Sequence, residues 1–520
     1  MTRDTPDPSG NPFYEYEIVT LDRCRATYDD DQATMVFEWL KHEGRAGGRA
    51  LPRQHDTRSD PWVGTPFQHR MMVDGRWQVV DAVRFSSWVG VVRTPCGAQI
   101  EILPKTGNDR GADRKAAPAN TRRQFIQMLA CLPEMQHIRH PLRALVDTQM
   151  DMPLGDIFLS AFLHSVAGLL GRGMRRDYVR HEDNLPTLRG RLCMAAQMRH
   201  NLIRRDRFYT RHDEFSANRA ENRLIHTALL RVLEMAGTDA NHSLTRRLLV
   251  AFDGVPLSTD IARDMELVRH ERDMHYYHEA LSWTVFILND LFPLTARTRK
   301  NTDTQHEAAF MLFPMECVFE KAVAVALATQ MPQGYRLEEQ FTSRHLVTCL
   351  PKAGQEPEQR FSLRPDMVVL QPDSRTVCMV LDTKWKRPVP DASVPLAFRD
   401  SWINQSDMYQ MKAYGDNYLN EGNGPVVLVY PRTNNFITAS QPFIFNSADG
   451  TVADMEDRLQ LWLVPFCLDR HILVLPDADG KAEKDMPPAE NAPRPLDFGQ
   501  FITDTPARRY QLGLDMGRAD

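Results

Sequence analysis

Two apolar, β-branched segments in the last third of the chain constrain its fold more than any other feature. Residues 367–370 and 377–381 are separated by a short stretch with proline and small polar side chains, which predicts a β-hairpin. Asp366 precedes the first strand and Asp382 follows the second. Antiparallel pairing should therefore bring the two carboxylates close together at one end of the sheet.

The residue two positions after Asp382 adds a cation to this pair. Alternate residues of a strand share a face, so Lys384 points to the same side as Asp382 and Thr383 points away. Two nearby carboxylates suit Mg²⁺, which takes one or two carboxylates and fills its remaining positions with water and substrate phosphate oxygens. Such a metal lowers the pKa of bound water, and a lysine ammonium stabilises developing negative charge. This arrangement is typical of metal-dependent nucleases of the PD-(D/E)xK type.

Asp-x-Lys alone is a weak signal because most charges at strand ends are simply solvated, but two flanking segments strengthen it. Residues 315–327 have helical spacing and place Glu320 beside an apolar face, within reach of the metal. Downstream, Gln410 and Tyr414 are four residues apart and lie on one face of a predicted helix. This order of elements resembles the RecB-like branch of these nucleases. The alternatives are a surface charge for Glu320 and a capped core helix for Gln410 and Tyr414.

These segments define the candidate site. The predicted catalytic residues are Asp366, Asp382 and Lys384, with Glu320, Gln410 and Tyr414 in supporting positions. The predicted ligands of the Mg²⁺ ion are the carboxylates Asp366, Asp382 and Glu320.

Length, charge and cysteine usage limit the class of protein. The 520 residues suggest about three or four domains. The formal net charge of −5 argues against general coating of nucleic acid, so any DNA contact must come from local patches. The eight cysteines form no CxxC pair, which predicts reduced thiols in a cytoplasmic protein. With no apolar signal core and no run of about 18 apolar residues, neither secretion nor membrane insertion is expected.

The fold class predicted for the whole chain is α+β, with an α/β nuclease core in which helices flank a mixed sheet. The first half should contain a hairpin around residues 95–97 and long loops at 41–75 and 106–120. The predicted parts are a flexible N-terminus (1–14), a β-rich domain (15–150), a helical, basic domain (151–300), a nuclease domain (301–476) and a polar mobile tail (477–520).

The segment from residue 174 to about 300 is predicted to be helical and is basic in places. Clusters of arginine such as residues 204–207 could contact phosphates or an acidic protein partner. The alternative is an ordinary solvated face. Asp213 and Glu214 precede a helical pattern and are interpreted as a hydrogen-bonded junction that caps that helix. The alternative is a second metal site.

Taken together, these segments resemble McrC, the nuclease subunit of McrBC-type modification-dependent restriction systems. The resemblance spans most of residues 15–475. It departs from the family at His226, where lysine is common, and in the enlarged loops at 41–75 and 106–120. The motifs that carry it lie at residues 89–92, 100–105, 188–192, 213–216, 222–225 and 319–431.

The resemblance implies a division of labour. McrC-like proteins carry the nuclease site but dock on a separate AAA+ GTPase ring, McrB, which they stimulate and which recognises modified DNA. The N-terminal region would engage this ring, and the DNA substrate would be double-stranded and methylated, for example at 5-methylcytosine. The chain has no G-x-x-x-x-G-K-[ST] phosphate loop, so GTP is expected to be bound by the partner and not by this chain.

Three functions are therefore considered. The first is the Mg²⁺-dependent endonuclease subunit of a GTP-driven, type IV restriction complex. The second is a free-standing RecB-like repair nuclease, which would act without a GTPase. The third is a non-cleaving adaptor that activates a GTPase motor, although the intact Asp366, Asp382 and Lys384 argue against it.

Overall fold

The chain forms two compact units, which are described separately. The first comprises 1–103, 118–126 and 133–312, and the second comprises 104–117, 127–132 and 313–520. The computed structural model describes residues 11–47, 63–73, 75–105, 117–133, 135, 152–268, 274–288, 309–349, 356–372, 374–386, 404–419, 424–433, 436, 439, 442–445 and 458–474. The predicted tail at 477–520 and residues 1–10 of the flexible N-terminus predicted at 1–14 lie outside these residues, whereas residues 13 and 14 form a strand. The predicted five-part division stays a prediction.

The first unit begins with short sheets that pack on helices. Its sheet orders are β1-β6-β5-β10, β2-β4-β3 and β7-β9-β8. The strands are β1 (Phe13–Tyr14), β2 (Ile18–Val19), β3 (Gly64–Val73), β4 (Arg76–Phe85), β5 (Trp88–Arg93), β6 (Gln99–Leu103), β7 (Asp177–Leu185), β8 (Arg191–Leu192), β9 (Phe208–Ser216) and β10 (Ala309–Pro314), which runs to the unit boundary. The helices in this part of the chain are Leu21–Arg25, Asp30–Gly47, Ala117–Leu129, Leu154–Arg172, Met194–His200, Ala220–Met235, Asp239–Ala251, Ile261–Leu267 and His275–Leu288.

The hairpin predicted around residues 95–97 is confirmed. β5 and β6 pair antiparallel, from Gly90 opposite Ile102 to Arg93 opposite Gln99. Trp88, Val92, Ile100 and Ile102 are buried in a core that also contains Phe13 and Phe37. The residues between them, such as Val89 and Val91, are buried as well, so both faces of the hairpin are covered, which explains the nearly continuous apolar run of β5.

The long loop predicted at 41–75 is wrong at both of its ends. The helix that starts at Asp30 continues to Gly47, and β3 already begins at Gly64. The glycines at 44 and 47 misled the prediction at the helix end, because glycine is a poor helix former, whereas the arginine between them and the apolar residues of this helix favour it. The loop predicted at 106–120 also ends early, since a helix starts at Ala117.

The helix Leu154–Arg172 opens the domain predicted to be helical at 151–300. It is long and apolar enough to cross a membrane by length and composition alone, but 67% of its apolar window is buried inside the protein. Phe158 and Phe162 are among its buried side chains. Burial of this kind is what the core helix of a folded protein shows, so the helix is weak evidence for a membrane.

The prediction that residues 174–300 are helical throughout is wrong for the first third of that segment. Residues 177–216 contain the sheet β7-β9-β8, with β7 and β9 antiparallel from Asp177 opposite Ser216 to Leu185 opposite Phe208. Pairs of opposite charge bridge the strands, as where Arg211 donates to Glu182 across 2.6 Å. Because charged pairs and not alternating apolar residues occupy these strands, the sequence lacks the usual strand pattern.

Asp213 and Glu214 do not cap the following helix, contrary to the interpretation made from the sequence. Both lie in β9, where Asp213 accepts from Arg180 at 3.5 Å and Glu214 lies 3.9 Å from His181. The helix Ala220–Met235 begins after Arg219 without a side-chain cap. The carboxylates are therefore used in cross-strand contacts.

The second unit contains a mixed sheet with the order β11-β14-β15-β16-β18-β17, and β19 pairs with β18. β14 is antiparallel to β15, whereas β16 is parallel to both β15 and β18. The separate strands β12 and β13 form a two-stranded ribbon. The strands are β11 (Arg336–Glu339), β12 (Arg344–Cys349), β13 (Glu358–Leu363), β14 (Met367–Leu370), β15 (Val377–Thr383), β16 (Gly424–Pro431), β17 (Phe443–Ile444), β18 (Leu459–Cys467) and β19 (Ile472–Leu473), and the helices are Met315–Ala328 and Gln405–Tyr418.

The predicted hairpin and both flanking helices are confirmed in this unit. Met411 and Tyr414 of the second helix pack on buried residues of the sheet such as Val368, Leu428 and Leu461. β14, β16 and β18 are buried along nearly their whole length, which explains their continuous apolar runs. This rigid sheet positions the residues at its edge.

Candidate active site

The two strand ends named from the sequence meet in the structure. Met367 pairs with Leu381, so the next positions outward, Asp366 and Asp382, are held side by side. Thr383 ties the ends together, because its backbone N and its Oγ1 each donate to Asp366 Oδ2 across 2.7 Å. Asp366 is 6% exposed and Asp382 is fully buried.

Lys384 points to Asp382, as the strand alternation predicted. Its Nζ forms an ion pair with Asp382 Oδ2 and donates to Gln410 Oε1 across 3.1 Å. Burial lowers the pKa of Lys384, but attraction to Asp382 outweighs this effect and the net pKa is raised. Lys384 therefore carries a positive charge at neutral pH and acts as a cation, not as a base.

Gln410 and Tyr414 lie on one face of their helix and reach the same site. Gln410 Nε2 lies 3.4 Å from Asp382 Oδ1 and 2.9 Å from the Tyr414 hydroxyl oxygen. The Tyr414 hydroxyl donates to the backbone oxygen of Arg364 across 3.0 Å. Gln410 thus bridges the predicted acid and the predicted lysine, and Tyr414 connects this bridge to the segment that carries Asp366.

Glu320 lies on the helix Met315–Ala328 and is linked to the site by Gln340, a residue that was not predicted from the sequence. Glu320 Oε1 accepts a hydrogen bond from Gln340 Nε2, and the backbone N of Gln340 donates to the Asp366 backbone oxygen across 2.7 Å. Gln340 has a φ of 50°, a left-handed backbone conformation that is uncommon for residues other than glycine. A lone glutamine after a short strand carries no sequence signal of such a role.

The three carboxylates influence one another. Burial raises the pKa of Asp366 to about 6, and the negative charge of Glu320 adds to this effect against the bonds donated by Thr383. Burial likewise raises the pKa of Glu320, and repulsion from Asp382 contributes, although the bond from Gln340 opposes the shift. Burial and mutual repulsion therefore both disfavour the charged forms of Asp366 and Glu320.

This donor set fits a hard divalent cation. Carboxylate oxygens are the ligands that Mg²⁺ prefers, and a cation would lower the raised pKa values of Asp366 and Glu320. Within the described ranges, no three acidic, histidine or cysteine side chains stand in a ready-made metal cluster. Lys384 instead contacts Asp382 Oδ2, so a cation that takes this oxygen has to displace the ammonium group.

Replacing Tyr414 by phenylalanine tests the bridge without changing the packing of the ring. Loss of the hydroxyl removes its bond to Arg364 and its contact with Gln410, and we expect the free energy of unfolding to fall by about 1 kcal/mol. Urea denaturation measures this change. Tyr409→Phe on the exposed side of the same helix is the control, and equal stability of the two variants would contradict the predicted role.

The raised pKa of Asp366 predicts a pH dependence of the metal-free protein. Its carboxyl stabilises the folded state at acidic pH, and this contribution is lost as the pH rises through about 6. In EDTA, Asp366→Asn should therefore become more stable relative to the wild type as the pH rises from 4 to 7, by on the order of 2–3 kcal/mol. Thermal unfolding across this pH range measures the difference, and Asp416→Asn, which replaces an exposed aspartate of the helix Gln405–Tyr418, is the control.

Comparison with known proteins assigns the chain to a family. Residues 83–431 match the sequence profile of the family described as McrBC, "McrBC 5-methylcytosine restriction system component". The chain belongs to the McrBC family. The matched segment covers more than half of the chain and includes every residue of the candidate site. The match confirms the resemblance to McrC that was inferred from the sequence.

A solved structure shares the fold of this McrBC-family chain. A chain of the "refined half-complex from tetradecameric assembly of Thermococcus gammatolerans McrB AAA+ hexamers with bound McrC" has a TM-score of 0.60 and 17% identity, over 89% of this chain and 97% of that chain. A chain of the cryo-EM structure of the Thermococcus gammatolerans McrBC complex has a TM-score of 0.42 and 18% identity, over 61% of this chain and 87% of that chain. No curated protein matches the sequence.

Proposed function

We propose that this McrBC-family chain is the Mg²⁺-dependent DNA endonuclease subunit of a GTP-dependent, modification-dependent restriction complex. The observation that carries the proposal is the convergence of Asp366, Asp382 and Lys384 at one end of the β14–β15 hairpin, with Gln410 bridging the last two. An acid pair, a protonated lysine and a positioning amide at one end of a buried hairpin suit hydrolysis of a phosphodiester, because they position the reacting groups and stabilise developing negative charge. The sheet that holds them is accordingly proposed to be a PD-(D/E)xK nuclease core.

Each residue has a proposed role. Asp366, Asp382 and Glu320 would hold Mg²⁺, which activates water and neutralises phosphate charge when it is bound. Lys384 would orient the attacking water or stabilise negative charge as it develops. Gln410 holds the side chains of Lys384 and Asp382 in place by forming a hydrogen bond with each.

The proposed partner is an AAA+ GTPase ring of the McrB type. The Thermococcus gammatolerans assembly that shares this fold contains McrB AAA+ hexamers with bound McrC. The present chain lacks a G-x-x-x-x-G-K-[ST] motif, so a nucleotide-driven activity would need the partner's phosphate loop. We propose that residues 15–150 dock on the ring, that this docking stimulates its GTPase, and that the ring selects modified double-stranded DNA.

Plasmid cleavage tests the proposal. Methylated and unmethylated plasmids are incubated with Mg²⁺ and wild-type or Asp382→Ala protein, with and without the candidate GTPase and GTP. We expect cleavage of methylated plasmid only when partner and GTP are both present, and none by the variant. Lys412→Met, which changes an exposed lysine on the outer side of its helix, should cleave like the wild type.

The other outcomes separate the alternative functions. Cleavage by the isolated wild-type chain, without GTP, would contradict the proposal in favour of a free-standing repair nuclease. Stimulation of the partner's GTPase without any cleavage would contradict the nuclease role and leave a non-cleaving adaptor. The Asp382→Ala comparison assigns any cleavage to this chain and excludes a contaminating nuclease.

A further inference from the structure

The ribbon formed by β12 and β13 has no core of its own. The strands pair antiparallel from Arg344 opposite Leu363 to Cys349 opposite Glu358. All residues of the two strands are exposed except His345 and Leu363, which are partly buried. Because an isolated two-stranded hairpin is at best marginally stable in water, the ribbon depends on its attachment to the unit and presents both faces for contact.

The base of the ribbon is fixed to the helix that carries the predicted supporting residues Gln410 and Tyr414. The hydroxyl of Tyr418 lies 2.7 Å from the backbone oxygen of Leu363, the last residue of β13. One residue later, the Arg364 backbone oxygen accepts from the Tyr414 hydroxyl across 3.0 Å. Asp366 follows two residues after Arg364. Two tyrosines of one helix therefore set the direction in which the ribbon leaves the candidate site.

The ribbon exposes large apolar side chains. Phe361 is 71% exposed and Leu346 is 52% exposed, and the register of the neighbouring pairs places these two residues opposite each other. Phe361 also has a φ of 58°, a conformation that is strained for an aromatic residue and that is typically retained where function requires it. An exposed, strained aromatic residue indicates a contact surface.

Arginines accompany these apolar residues. Arg344 and Arg360 lie on the ribbon and Arg364 lies at its exit, and all three are exposed. Arg360 is opposite Val347, which puts it on the other face of the ribbon from Arg344, and it forms an ion pair with Glu358 at 2.8 Å. Arg344 shares its face with Leu346 and Phe361. In a chain with a net charge of −5, Arg344 and Arg364 supply local positive charge suited to phosphates.

We propose that the β12–β13 ribbon binds the DNA duplex next to the bond to be cut, with Arg344 on the phosphate backbone and Phe361 and Leu346 against the groove. This inference rests on the proposed nuclease function, because it takes the DNA to lie at Asp366 and Asp382. A two-stranded ribbon fits the major groove of B-DNA. Charge complementarity and the direct connection to the candidate site favour DNA over a protein partner.

Equilibrium binding of the full chain to a fluorescent duplex of about 30 base pairs in EDTA tests this contact. Arg344→Gln should weaken binding by about tenfold and reduce the slope of log K against log salt by about one, since one phosphate contact is lost. Asparagine tolerates a positive φ, so Phe361→Asn should keep the backbone conformation at this position. This variant should weaken binding by about tenfold and leave the salt slope unchanged. The matched controls are Arg247→Gln and Val250→Asn, which replace exposed residues of the helix Asp239–Ala251.

The outcomes separate this inference from the proposed function. Unchanged affinity and salt slope in both ribbon variants, with wild-type circular dichroism, would overturn the ribbon contact even if the assembled complex cleaves plasmid. Unchanged DNA binding with weaker capture of the GTPase partner would also overturn it and identify a protein-binding ribbon. The remaining outcome combines weaker DNA binding by both ribbon variants with no plasmid cleavage by the wild-type complex. It would support the ribbon contact and contradict the proposed function.

Discussion

Substitution of Lys384 by methionine is expected to lower plasmid cleavage by the assembled complex by about 10²–10³-fold, because it removes the positive charge that we propose stabilises the reacting phosphate. The same change leaves the fully buried Asp382 without its ion-pair partner. Removal of one member of a buried pair costs about 3–5 kcal/mol, so the unfolding free energy should also fall. Initial cleavage rates and urea denaturation measure the two effects.

A double variant separates catalysis from stability. Asp382→Asn combined with Lys384→Met removes both charges of the buried pair, so we expect most of the lost unfolding free energy to return, whereas cleavage should fall further to none because a proposed metal ligand is also lost. The control Lys412→Met removes an exposed lysine paired with Asp416 and should change neither quantity by more than a small amount. Recovery of cleavage in the double variant would contradict the role proposed for Lys384.

Gly90→Val is expected to have the largest effect on stability. Gly90 lies in β5 with a φ of 142°, and a Cβ at this position would stand 1.8 Å from the backbone oxygen of Met311. Valine would be strained at this φ, and the backbone of Met311 is buried and would have to move to make room. The free energy of unfolding should therefore fall by more than about 4 kcal/mol. The variant should accumulate mainly as insoluble protein, and its soluble fraction should unfold at a lower temperature.

The same substitution at an open position provides the comparison. Gly168 lies on the exposed side of the helix Leu154–Arg172, and a Cβ there meets no atom within 4 Å. Gly168→Val should therefore keep the wild-type yield and unfolding temperature or raise the temperature slightly, since glycine is a poor helix former. Equal loss of stability at Gly90 and Gly168 would show that the close approach of β5 to Met311 is unimportant.

Much of the second unit could be predicted because its signals are local. The β14–β15 hairpin follows from two short apolar runs around a turn, and its ends carry Asp366 and Asp382 by chain continuity. The positions of Gln410 and Tyr414 on one helix face follow from their spacing of four residues. Period and spacing are properties of neighbouring residues, so no knowledge of distant contacts was needed.

The sheet β7-β9-β8 could not be predicted in this way. Its strands are stabilised by cross-strand charge pairs such as Glu182 with Arg211, and they do not alternate between apolar and polar residues. Charged segments without a strand period are indistinguishable from polar helix surfaces or loops until their partners are known. The helical prediction for this segment failed for that reason.

The sequence by itself determined which residues of the candidate site stand at strand ends and helix faces, because strand alternation and helical spacing operate over a few residues. Only the tertiary structure decided how these residues meet. It brought Gln340 to Glu320, joined Gln410 to both Asp382 and Lys384, and connected the β12–β13 ribbon to the same helix. These contacts join residues 20–55 positions apart, and such distances are set by the packing of the whole unit and not by any local pattern.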